Sequence, residues 1–254
     1  MTTLPRLLSI LALFMAWLLL SLVLPASIVP GPVAVFTALA ENIRSGTAFY
    51  HLYKTLLRVG LGLVLTMVLG ISIGTIMGLS RKGELFLDSW VLVGLTIPAI
   101  VNSIICLMWF GLNDRAAIVA IGTAAFPTVS ISFWQGIKGI DMQLVSMGQA
   151  FRLNRIDIVR KIIFPQLLPQ TLASMRSALG ICWKICTTVE LIGMSSGVGY
   201  QLNYWFGLYS TSQVFAWTLL FLLVMFAIEY LLFKPLEKRL TRWRTGVPGL
   251  QWAQ

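Results

Sequence analysis

The sequence predicts an all-α, polytopic membrane protein of about six transmembrane helices. Three observations carry that prediction. Of its 254 residues, 57% are hydrophobic and only 11% charged, with a mean hydropathy of +0.85. A water-soluble globule of that composition would leave too much apolar surface in water, so lipid is the solvent it fits. The apolar residues fall into runs of span length, and the 19 Lys and Arg lie mostly between them rather than in one stripe. That placement speaks for membrane topology rather than nucleic-acid binding.

Leu7 to Leu24 is an uncharged, apolar run of 18 residues after Arg6. A secretory signal peptide is the competing reading. The run is long for a signal core and Pro25-Ala26-Ser27 is a poor cleavage site, so a retained first span is expected. Pro25, Pro30 and Pro32 stop it. Val33 to Ile43 is mildly amphipathic and is expected along the membrane surface. His51, between Tyr50 and Tyr53, reads as an amphipathic anchor at the interface.

Leu56 to Leu79 is the second span. Gly70, Gly74 and Gly78 form two successive G-x-x-x-G steps, which let another helix backbone approach closely; packing within the chain is preferred to a dimer seam. Leu87 to Phe110 is the third span, interrupted at Pro98, with Asn102 a turn later. A broken, polar-decorated helix is costly in lipid, so this face is expected to look inward. Ala116 to Trp134 is the fourth span, kinked at Pro127.

Asp141 to Pro169 is the longest stretch that still reads as water-facing. Asp141 and Asn154 are placed to cap two short helices, with Leu153-Asn154 as the turn and Asp157 in the second helix's first turn. Ile156, Ile158, Val159, Ile162 and Ile163 share one arc of the second helix, and Asp157, Arg160 and Lys161 the opposite one. Pro165 is expected to end it. A two-sided helix pair between spans is a docking surface.

Gln170 to Ile192 is the fifth span and holds Arg176, Lys184, Thr187, Thr188 and Glu190. Lys184 lies about half-way across, where an ionisable group costs on the order of 2.5–3.5 kcal/mol, so protein, water or a counter-charge must face it. Ser195 to Ser212 carries no charge and reads as a re-entrant or interfacial segment rich in aromatics. Val214 to Phe233 is the sixth span; Glu229 lies in its last turn, within reach of Lys234 and Lys238. With both termini cytoplasmic, 13 basic residues fall inside against three or four outside, as the positive-inside rule requires.

The docking stretch also carries a family resemblance. Permease subunits of bacterial ATP-binding-cassette (ABC) importers have a cytoplasmic motif of the form E-A-A, three residues, G, nine residues, I, any residue, L-P. Here Ser146, Met147 and Gly148 stand at the E-A-A, Arg152 at the G, and Ile162, Phe164 and Pro165 at the I, L and P. The second half matches and the first does not. Leu24-Pro25, Pro30-Gly31-Pro32, His51, Thr55-Leu56-x-Arg58, Trp109-Phe110-Gly111, Val189-Glu190-Leu191 and Ser195-Ser196-Gly197-x-Gly199-Tyr200 add to it. Over roughly residues 24 to 233 the chain resembles the nitrate/sulfonate/taurine-type branch of type I ABC importer permeases.

That resemblance implies a single permease domain over residues 1–254: a first span and periplasmic connection (1–55), a five-helix core (56–233) with docking helices at 141–165, and a basic cytoplasmic tail (234–254). It implies a multi-pass protein of the bacterial inner membrane, with an ATP-binding subunit, an external substrate-binding protein and a second permease copy as partners. The cargo would be a small solute, either an anion such as a sulfonate, taurine or nitrate, or a small aromatic or vitamin precursor. Ser146, Gly148, Arg152, Arg155, Asp157, Ile162 and Pro165 are the candidate docking residues. Asn102, Trp109, Lys184, Thr188 and Glu190 are the candidates for the translocation path.

No catalytic, cofactor-binding or metal-ligating constellation is expected. There is no Gly-rich phosphate loop with Lys-Ser or Lys-Thr, no G-x-S-x-G and no His cluster, so ATP hydrolysis would belong to a separate subunit. Cys106, Cys182 and Cys186 lie in apolar runs and read as small buried hydrophobes. The alternative function is an ion-coupled secondary transporter using Lys184 or Glu190, which would favour an internal repeat of spans; the sequence shows none.

Overall fold

The computed structural model describes residues 3–240, and all regular structure in them is helical. In order these are α1 (Thr3–Val23), α2 (Pro32–Arg44), α3 (Thr47–Leu79), α4 (Arg81–Thr96), α5 (Ala99–Phe110), α6 (Asp114–Lys138), α7 (Met142–Ala150) and α8 (Arg155–Ile158). A π-helical turn (Val159–Ile163) leads into α9 (Phe164–Gly193), followed by α10 (Val198–Gly207) and α11 (Thr211–Ile228). A second π-helical turn (Glu229–Phe233) precedes α12 (Lys234–Leu240). Three helical runs, Thr47–Leu79, Asp114–Lys138 and Thr211–Leu236, are each long and apolar enough to cross a membrane; counting each of two bent pairs as one span gives five. In α1 the apolar stretch Leu11–Val23 is shorter. The basic residues Arg242 and Arg244 of the expected tail lie outside the described residues.

The chain forms two compact units, one from residues 3–57 with 187–226 and one from 58–186 with 227–240. In the first unit, Pro32 opens α2, where a missing N–H is harmless. Its buried Val35, Ala38 and Leu39 pack on Ala216 of α11, with Trp17 and Phe215 closing over them. Asn42 Nδ2 donates to Gln213 Oε1 at 2.7 Å. A second cluster joins Ala48 of α3, Val198 of α10 and Trp217 of α11.

The second unit is built on α6, whose Ala116, Ala117, Ala120, Ile121 and Ala125 are all 0% exposed. The small side chains admit α3 at backbone distance. A Cβ built at Gly70 would stand 2.5 Å from Val129 Cβ, at Gly74 2.6 Å from Ser130 O, and at Gly78 2.7 Å from Ile137 Cβ. The glycine stripe is thus a seam within the chain. Arg58 is buried on the same helix and donates to Asp114 Oδ1 through Nε (2.9 Å) and Nη2 (2.7 Å). On the far side of α6, Ser132 meets Ser174 of α9 at 2.7 Å, and Gln170 Nε2 donates to Ser132 O at 3.1 Å.

The third apolar run is not one straight span. Pro98 cannot continue the helix, and α4 and α5 meet there at 97°. At the start of α4, ahead of the apolar run, Glu84 pairs with Lys138 (2.7 Å) and Arg81 (3.0 Å). The Lys138 hydrogen bond, helped by Arg81, holds its carboxyl below the usual range.

Pro165 does not end its helix. Arg155 to Gly193 is helical throughout, with the π-helical turn immediately before the proline. There the Phe164 N–H bonds to Val159 O, five residues back. The widened turn lies where the proline ring would otherwise press on the preceding turn.

Candidate functional site

The helix pair between α6 and α9 is capped as its sequence requires. Asp141 accepts from Gln143 N (2.8 Å) and Asn154 from Asp157 N (2.7 Å). Between them α7 ends in a left-handed residue, Arg152 at φ +57°. Leu153 N bonds to Gly148 O (3.0 Å) and Arg152 N to Gln149 O (2.8 Å), the paired bonds of a Schellman ending. That conformation suits glycine, so the Arg stands where the backbone most wants the motif's Gly. Gly148 also packs closely: a Cβ there would lie 2.6 Å from Ile162 Cδ1, so a larger residue would have to move that side chain.

Gly148 and Ile162 therefore face each other inside the protein, with Val145 and Ile158 buried nearby. Ser146 is exposed and turned back on Met142 O (2.9 Å); Asp157 pairs with Lys161 at 3.0 Å. Pro165 is half-buried within the continuous helix, and Arg152 and Arg155 are exposed. Around them stand exposed Met147, Phe151 and Ile156, the last two 75% and 77% accessible. The pair thus has one apolar face spent on its own protein and a second, ringed by arginines, left outward.

The candidate path residues separate. Asn102 is half-buried and bonded to α6, donating to Ala120 O (2.9 Å) and accepting from Thr123 Oγ1 (3.2 Å). Trp109 is 77% exposed at the end of α5. Lys184 is exposed on α9, and Thr188, half-buried, follows one turn on. Within α9, Ser174, Ala178, Cys182, Trp183, Ile185 and Cys186 are all buried. Ala173, Arg176, Ser177, Gly180 and Lys184 occupy an arc of about 100° on the other side, and all but half-buried Gly180 are exposed. A span with its apolar side inward and its charged side outward is the reverse of a lipid-facing helix.

Glu190 belongs to a different construction. It is 0% exposed, and its carboxylate accepts from Gly199 N and Thr55 Oγ1, each at 2.9 Å. Thr55 Oγ1 in turn accepts from Val198 N at 2.9 Å, and Gly197 N donates to His51 Nδ1 at 3.0 Å. The first N–H groups of α10, which no helical carbonyl can serve, are thus met by three side chains, one of them a carboxylate at the positive end of the helix. Gly197 sits at φ +112°, and a Cβ there would fall on the Glu190 carboxylate. His51, expected at the interface, is 7% exposed. With Nδ1 accepting, the neutral ring carries its proton on Nε2, 2.7 Å from the Gln201 amide, which must present its oxygen there. The sequence offered a signal: His51, Thr55 and the Val189-to-Tyr200 motif stand far apart in the chain and meet here.

The signature described as "Binding-protein-dependent transport system inner membrane component" matches residues 67–242. A protein of Bacillus subtilis (strain 168) named for aliphatic sulfonates transport, the permease SsuC, is 33% identical over 227 residues, 89% of this chain and 82% of that one. The taurine transport system permease protein TauC of Escherichia coli (strain K12) is 27% identical over 82% of this chain and 75% of its own. A chain of the MetNI methionine ABC transporter, solved in inward-facing conformations, superposes with a TM-score of 0.66 at 16% identity, covering 75% of this chain and 94% of that one. By that match over residues 67–242 and that identity, the chain belongs to the binding-protein-dependent transport system inner membrane components, the permease subunits of ABC importers.

Proposed function

We propose that the chain forms half of a translocation path for a small anion. A second copy completes the path, an ATP-binding subunit docks on α7 and α8, and an external binding protein delivers the cargo. The observation that carries this reading is the outward face of α9. Lys184, Ser177 and Arg176 are exposed on it, opposite the fully buried Cys182 and Cys186. On a face turned to lipid a lysine or arginine costs on the order of 2.5–3.5 kcal/mol before any pairing is counted, which a water-lined path avoids. The names of the relatives, for aliphatic sulfonates and taurine, supply the cargo class. The distribution of basic residues supports a cytoplasmic position for both termini. Against the ion-coupled alternative, Glu190 is sealed from solvent as a cap on α10.

The test is uptake by proteoliposomes holding the permease, its ATP-binding subunit and the binding protein. ATP-dependent accumulation of taurine or methanesulfonate is expected, abolished without the ATP-binding subunit. Uptake driven by an ion gradient without ATP would refute the reading. Cysteines placed at Lys82 and Lys138 should label from the cytoplasmic side, and at Arg44 and Asn113 from outside. Outside labelling at Lys138 would remove the docking assignment.

A further inference from the structure

The sequence puts Glu229 within reach of Lys234 and Lys238, of which the Lys238 side chain lies outside the described residues. The structure pairs Glu229 with Arg176. Arg176 Nε donates to Glu229 Oε2 at 3.1 Å and Nη2 meets Oε1, with the side chains 48% and 27% exposed. Lys234 lies over the Tyr230 ring at 3.6 Å. The Arg–Glu pair borders a cavity of about 520 Å³ whose other walls include Ala173, Ser177, Gly180 and Phe233. Ligand pockets run roughly from 300 to 1,000 Å³. Most of the wall is the same exposed arc of α9 that carries Lys184, eight residues and so about 12 Å further along the axis. Glu229 opens the second π-helical turn, a distortion found often at functional sites.

We propose that Arg176 and Glu229 form an anion-exchange station on this path, one helical stage from Lys184. This rests on the path assigned above. A sulfonate, carboxylate or phosphate group presents oxygens that match the guanidinium fork. The Ser177 hydroxyl, next along the chain on the same wall, offers a further donor. The arriving anion takes the place of the Glu229 carboxylate on Arg176, and that carboxylate, already 27% exposed, turns to the water of the cavity. When it leaves, Glu229 returns. Arg176 is thus compensated in both states, so an intramembrane cation is never left alone and the cargo is never held by an unopposed one. The same oxyanion chemistry is present in lipid headgroups; the soluble ion is favoured because the cavity continues the arc of Lys184, away from the ends of α9.

The experiment uses Ser177→Cys in the assembled complex in nanodiscs. The parent protein is the control, since Cys106, Cys182 and Cys186 are buried. An anionic (sulfonatoethyl) and a cationic (trimethylammonioethyl) methanethiosulfonate reagent are compared. With each rate normalised to that for a free small thiol, the anionic reagent should react about tenfold faster, as the exchangeable Arg176 guanidinium and Lys184 further along the arc favour an arriving anion. Methanesulfonate should slow it, in neutral-lipid as well as anionic-lipid discs. Glu229→Gln should raise the anionic rate and Arg176→Gln should reverse the preference. No anion preference overturns the proposal. So does protection that comes only from anionic lipid, which would make this a headgroup site. Uptake by Lys184→Met separates the two claims. If labelling fails while that variant loses anion selectivity, the station alone falls. If labelling succeeds while that variant is unchanged, the station stands and the path through Lys184 falls.

Discussion

Replacing Thr55 with valine tests the sealed N-terminus of α10. Thr55 is 0% exposed, and its hydroxyl stands 2.9 Å from Glu190 and 2.9 Å from Val198 N. Valine has nearly the same shape, so no cavity opens and only polar pairing changes. The Val198 N–H loses its acceptor, which costs about 1–3 kcal/mol for a buried group, and the Glu190 carboxylate loses a donor worth about 1.5–3 kcal/mol. The sum is of order 3–5 kcal/mol. Thr55→Ser keeps the hydroxyl and deletes one methyl, worth about 0.8 kcal/mol. At roughly 2–4 °C per kcal/mol for a chain of this size, Thr55→Val should unfold about 8–15 °C below wild type and Thr55→Ser only a few degrees below. The assay is thermal unfolding of the purified protein in detergent, followed by tryptophan fluorescence. Equal midpoints for the two variants would refute the assignment of Thr55 as the hinge of this network.

Three further outcomes are expected. Gly74→Val drives a side chain into the α6 backbone at Ser130 and should cost about 1–3 kcal/mol or more, whereas Gly60→Ala, with nothing within 4 Å, should be neutral or stabilising by up to about 1 kcal/mol; detergent stability measured side by side decides it. Reversing charge at Arg152 and Arg155 should weaken co-purification with the ATP-binding subunit, and unchanged assembly with unchanged coupled ATPase activity would refute their docking role. Lys184→Met should assemble normally and lose anion selectivity in uptake, while wild-type rates and selectivity would take Lys184 out of the path.

Local rules made the spans, the caps at Asp141 and Asn154 and the glycine seam readable in advance. Each depends on residues near one another in sequence or on helical spacing alone. Glycines at steps of four could be read as packing because the chain had another small-residue helix, α6, to receive them. The buried place of His51 and the pairing of Glu229 with Arg176 were not legible for the opposite reason: the partners are 146 and 53 residues away. A polar side chain near a span end looks the same in sequence whether it faces headgroups or a distant backbone N–H. Pro165 was misread because its usual effect was cancelled upstream, by a wider turn that no residue type announces. Arg152 is the converse, since its mismatch with a glycine position was visible in sequence and its positive φ in the structure explains what that position demands.

The two π-helical turns, Val159–Ile163 and Glu229–Phe233, each end two residues before a proline, Pro165 and Pro235. A π-turn holds one residue more than the α-turn it replaces, which advances the phase of everything beyond it by about 100°. The azimuth of the helix pair relative to α9 is therefore fixed by a single residue of chain length. Removing one residue at that turn would restore an α-turn and leave the flanking helices nearly in register, whereas straightening the turn at full length would rotate the helix pair by about 100° relative to the α9 arc. A relative with a straight helix there is correctly compared with this chain only after a one-residue gap at that turn, and position-by-position transfer across an ungapped alignment would assign each docking residue its neighbour's role.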